Sequence, residues 1–166
     1  YTGARSNELA YLELPDIKKM EGLDLWVLDF NIRGKFKSVK NRYSDRRTPI
    51  HPDLIGLGLL ERVDALKAQG EIRLFPESNL KVQNGPASAT GTAFSRLLVQ
   101  LGIEPRFGKL GIHSLRDTVI TELDEADVPL DKQEAYSGHV ITGQKSTQKT
   151  DHKEAYSSKS ARVAAN

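Results

Sequence analysis

Cysteine is absent from the 166 residues. Its absence excludes disulfide scaffolds, thiolate zinc sites, iron–sulfur clusters and cysteine nucleophiles together, and it fits a reducing compartment. Long hydrophobic runs are also missing. No window approaches the roughly 18 unbroken apolar residues that a spanning helix needs, so the chain is expected to stay out of membranes and to act in the cytoplasm. There is no charged-then-apolar leader, and the first residue is Tyr1 rather than methionine, which reads as a fragment of a larger protein and not as a secreted precursor.

What remains is 38% hydrophobic and 28% charged, the composition of one globular domain with a real core. The formal net charge of +2 hides an uneven distribution. Arg33, Lys35, Lys37, Lys40, Arg42, Arg46 and Arg47 crowd one stretch against a single acid, Asp45. That is a local balance of +6, and it leaves the rest of the chain at −4. Positive potential gathered in one place is how contact with a polyanion looks in sequence, although a solvated basic hairpin reads the same way.

The periodicities predict a mainly helical chain with a small antiparallel sheet. A short helix spans Arg5 to Leu14 and stops at Pro15. Strand formers fill Leu23 to Ile32, and a second strand signal closes at Thr48 to Ile50, so the basic residues fall on a hairpin and its tip. Asp53 caps a helix from Leu54 to about Gln69, stopped by Gly70. Ile72 to Phe75 suits a short buried strand, and a polar loop runs from Pro76 to Pro86. Helices follow over Ala89 to Leu101, with Phe94, Leu97, Leu98 and Leu101 inward, over His113 to about Asp127, and over Asp131 to Tyr136. A folded core is therefore expected over residues 1–139. From Val140 to Asn166 the chain is polar and reads as an extended or partner-docked tail.

The residues suited to chemistry are basic and far apart in sequence: Arg5, Lys40, His113 with Arg116 three positions on, and His139. In a helix starting at His113 the imidazole and the guanidinium share a face and can converge on one oxyanion, which arginine grips with a planar fork of donors. Each alone has a structural explanation: a surface or ion-paired arginine, a helix cap, a turn residue.

Together with their neighbours they resemble a known family. Thr2-Gly3-Ala4-Arg5-Ser6-Asn7-Glu8-Leu9, followed by Leu12 and Asp16-Ile17, resembles the first arginine box of the tyrosine recombinases, the phage integrase family. His113-Ser114-Leu115-Arg116-Asp117-Thr118 is similar to that family's His-x-x-Arg box, and Ser137-Gly138-His139 to the Gly-His that follows. Lys40-Asn41, leading through Arg47-Thr48-Pro49-Ile50-His51, is similar to its lysine-bearing hairpin. Asp117 stands where the family frequently has His or Lys. Four motifs in family order cover nearly the whole span from Tyr1 to His139.

The resemblance implies the tyrosine recombinase catalytic fold and a site-specific recombinase that cuts and rejoins double-stranded DNA through a 3′-phosphotyrosyl intermediate. It implies further protomers, four on two duplexes, although the isolated fragment is expected to be monomeric, with the DNA-gripping domain upstream of Tyr1. No metal or other cofactor is implied. Arg5 and Arg116 would stabilise the pentacoordinate phosphorane. His113 and His139 would add donors, with His113 also placed to exchange a proton with the tyrosine. Lys40 would protonate the departing 5′ oxygen, with Lys37 its competitor, and Lys37, Arg42, Arg46 and Arg47 would contact DNA. Glu8 would orient Arg5.

The nucleophile is the irregular part. The family's usual spacing of about nine residues after the Gly-His histidine lands on Gln148, and a small insertion moves it to Thr150 or Asp151. Tyr156, seventeen residues on, is the tyrosine available downstream. An aspartate would form a hydrolysable acyl phosphate. Three alternatives stand: Tyr156 on a longer loop, a replaced tyrosine near Asp151, or a DNA-binding module without a nucleophile. A type IB topoisomerase-like strand transferase shares the same pocket.

Overall fold

The computed structural model describes residues 1–37, 45–104 and 110–138. Helix α1 (Ser6–Ala10) leads through a 3₁₀ turn at Leu14–Asp16 into strands β1 (Ile17–Lys19), β2 (Trp26–Phe30) and β3 (Arg46–Pro49). Helices α2 (Pro52–Gly56), α3 (Leu59–Ala68), α4 (Ser88–Gln100), α5 (Ser114–Glu125) and α6 (Leu130–Ser137) follow. The class is mixed, with six helices and one small antiparallel sheet of order β1-β2-β3 among the described residues.

The central strand sets the register. Leu28 lies opposite Ile17 on one side and Thr48 on the other. The face shared by Leu28, Phe30 and Ile50 is buried against Leu12, Leu14, Val63 and Leu66, which places the core between the sheet, the end of the first helical segment and α3. β1 was not expected as a strand. It has three residues, too few for an alternation to show, and it exists because β2 pairs with it.

The helix expected over Leu54 to Gln69 is two helices. Gly58 takes the left-handed conformation (φ 91°, ψ 24°) at the head of α3, which a residue without Cβ adopts at little cost, so the apolar periodicity runs across a break. His51 starts the first piece, its Nδ1 accepting from the Asp53 amide at 3.2 Å. The strand expected at Ile72 to Phe75 is reduced to one antiparallel bridge, Glu13 with Arg73, flanked by Leu14 N donating to Ile72 O (2.8 Å) and Leu74 N to Leu12 O (2.9 Å). Pro15 and Pro76 stand close on either side, and proline offers no amide to lengthen the ladder.

The inward stripe expected on α4 is not buried. No residue of that helix is enclosed among the described residues, and Leu101 just beyond it is 62% exposed. The helix is tied at its start instead: Asn7 Oδ1 accepts from the Ala87 amide at 3.0 Å. α5 and α6 pack as a pair, and α6 also meets β3.

Candidate functional site

α1 is only five residues long, yet it organises the site. The spacing Arg5-x-x-Glu8 supplies the glutamate half of a capping box, in which the Arg5 amide donates to Glu8 Oε2 (3.0 Å). Arg5 Nη1 donates to Glu8 Oε1 at 3.0 Å and to Gly138 O at 3.3 Å. Nε and Nη2 of Arg5 make no hydrogen bond among the described residues, and the side chain is 42% exposed. Its unengaged edge is therefore open to an anion.

Arg116 rises from α5 into the interior and is 4% exposed. Its Nη1 donates to Ser137 O at 2.6 Å and closely to Gly3 O. Burial lowers its pKa from the ordinary arginine value, with the charges of Arg5 and then Arg46 acting in the same sense and Glu8 and Asp117 opposing. A guanidinium stays protonated through such a shift.

Arg46 is the third member. Its side chain is 7% exposed, with Nη2 on Glu8 Oε2 at 2.8 Å and Nε on Tyr136 O at 3.1 Å. Its guanidinium carbon lies 4.2 Å from the centre of the Phe30 ring. Arg46 was expected on the DNA-contacting face, and it is committed to the interior. The signal was present: along β3, Arg46 and Thr48 share one face, and Thr48 is fully buried.

Three arginines from α1, β3 and α5 thus take three consecutive carbonyls, Gly138, Tyr136 and Ser137, at the end of α6. The last turn of a helix carries unpaired carbonyls and partial negative charge, so it draws cations. Gly138 follows in the left-handed conformation (φ 71°), and a Cβ there would stand 2.5 Å from Arg46 Nη1. Glu8 bridges two of the three guanidinia, those of Arg5 and Arg46. Burial would raise its pKa, but bonds and charge from Arg46, then from Arg5, outweigh this and hold it below the ordinary value.

His113 occupies the cap position of α5 without a side-chain cap bond, and it is exposed while Arg116 is buried. The two share an end of the helix at different depths. Lys37 is buried against Asp16, whose other oxygen accepts from Asn31 Nδ2 at 2.8 Å. Arg47 and Arg33 flank the buried Asp29 at 4.0 and 3.8 Å, where Lys18 also binds. The basic stretch is thus answered by acids from other elements, a pairing between distant residues that sequence order conceals. Lys40, Arg42, His139 and Tyr156, and with them the expected tail, lie outside the described residues.

Tyr136, the last aromatic before Gly138, donates its hydroxyl to Tyr1 O at 2.6 Å, and burial raises its pKa. Among the described residues no group of three or more His, Asp or Glu side chains is arranged to hold a metal ion, and no helix is long and apolar enough to cross a membrane. The chain matches no protein-family model, no curated protein and no solved structure.

Proposed function

We propose that this chain is the catalytic domain of a tyrosine recombinase, cutting and rejoining double-stranded DNA in the cytoplasm as part of a tetramer. The observation that supports it is the pairing of Arg5 and Arg116, more than a hundred residues apart, on the adjacent carbonyls of Gly138 and Ser137. Among the described residues, the three guanidinia outnumber the carboxylates beside them, Glu8 and, near Arg116, Asp117, and the Nε and Nη2 edge of Arg5 is unengaged. That is a site for an oxyanion whose charge grows during reaction.

In this reading Arg5 and Arg116 hold the scissile phosphate. The Tyr156 oxygen attacks phosphorus, its proton passing to His113, and the bond from phosphorus to the 5′ oxygen breaks. Lys40 protonates that oxygen, since Lys37 is occupied by Asp16. Rejoining is the reverse, with a 5′ hydroxyl as the attacking group. His139 follows directly on the carbonyls that the arginines grip.

A nicked suicide duplex incubated with the chain tests this. A covalent adduct is expected, and Tyr156→Phe should abolish it. Arg5→Ala should slow cleavage by about a hundredfold or more while changing DNA affinity little. Adduct surviving Tyr156→Phe would move the nucleophile elsewhere. DNA binding with no adduct would favour a module without a nucleophile, the reading supported by Gln148 at the family's usual place. Relaxation of supercoiled plasmid without joining of two sites would favour the topoisomerase-like activity.

A further inference from the structure

We propose that Arg46 is a positioning residue for Arg5, acting through Glu8. The inference rests on Arg5 being a phosphate ligand. Arg46 is itself held in the interior: its side chain is 7% exposed, stacked on Phe30 and bonded to Tyr136 O.

The argument follows the two oxygens of Glu8. Oε1 accepts from Arg5 Nη1 at 3.0 Å. Oε2 accepts from the Arg5 amide at 3.0 Å and from Arg46 Nη2 at 2.8 Å. With Oε2 occupied, the carboxylate engages the Arg5 side chain through one nitrogen, and the other edge of the fork stays available. A carboxylate released from Arg46 would keep the Arg5 amide on Oε2 but regain a second acceptor position on that oxygen, and arginine and carboxylate favour the two-bond, fork-to-fork pair. That pair would turn the fork away from an incoming phosphate and neutralise it. Arg46 therefore keeps Glu8 a hinge for Arg5 rather than a trap, and it fixes the end of α6 on which Arg5 also leans.

The test is a double-mutant cycle on the full chain, read as the single-turnover cleavage rate of a nicked duplex at saturating DNA. Arg46→Met should slow the step by about tenfold to a hundredfold, the scale of a small misplacement of a catalytic group, with DNA affinity within about twofold. In an Arg5→Ala background the same change should have little further effect. Arg46→Lys, which keeps one donor for Glu8, should recover part of the rate. Glu8→Gln in the Arg46→Met background should also recover rate, because a neutral amide cannot trap Arg5. Equal losses from Arg46→Met with and without Arg5, or a loss confined to DNA affinity, would overturn the proposal. If the chain cuts no DNA, the recombinase reading fails, and the cycle is read instead on binding of inorganic phosphate by calorimetry. Coupling between Arg46 and Arg5 there sustains the inference, and additivity ends it.

Discussion

Arg5 and Arg116 carry the same charge and are expected to respond differently to removal. Arg116 donates to two backbone carbonyls in the interior, so Arg116→Met removes that donor from Gly3 O and from Ser137 O. Buried acceptors deprived of a partner cost about 1–3 kcal/mol, and urea unfolding should show a loss of that size. Arg5 is half exposed and screened, so Arg5→Ala should cost less than about 1 kcal/mol in the same experiment. Glu8 adds a pH signature. Its folded pKa is depressed, so its contribution is fully present above the unfolded value near 4.5 and is lost as pH falls through the folded one. The stability advantage of the native chain over Glu8→Gln should therefore be constant at neutral pH and shrink below about pH 4.5. An advantage unchanged down to pH 3 would show that the ionised carboxylate is not what matters.

Two glycines at helix ends separate backbone strain from site geometry. Gly58 and Gly138 both have positive φ, but a Cβ at Gly58 meets nothing closer than Glu61 Oε2 at 3.9 Å, whereas at Gly138 it meets the anchored guanidinium of Arg46. Alanine at either position pays about 1–2 kcal/mol for the left-handed conformation. Gly58→Ala should lower thermal stability and leave DNA cleavage intact. Gly138→Ala should lose stability and also slow cleavage, because Arg46 must move and Glu8 moves with it. Equal cleavage rates in the two variants would remove the α6 terminus from the site. The same pair shows how far local pattern reaches. Gly138 was legible as part of a motif. The break at Gly58 was not, since the apolar spacing of Leu54, Leu57, Leu60 and Val63 continues smoothly across it.

The charge of the whole molecule reads differently once folded. Seven bases between Arg33 and Arg47 suggest a broad polyanion surface, yet Lys37 and Arg46 are spent on Asp16 and Glu8. Each phosphate neutralised contributes about −0.9 to the slope of log affinity against log salt. Arg47→Ala, at a half-exposed position, should make the slope of DNA binding shallower by about that amount, whereas Lys37→Met should leave it unchanged. A change with Lys37→Met would place that side chain at the DNA. The coarse class of fold and most helices were readable from periodicity, because helices are set by residues a few positions apart. The strand β1, the break in the long helix, the exposure of α4 and the interior fate of Arg46 were settled by contacts between residues far apart in the chain. Burial and ion pairing depend on which surfaces meet, and the three arginines that converge on the end of α6 come from α1, β3 and α5, whose meeting no local pattern records.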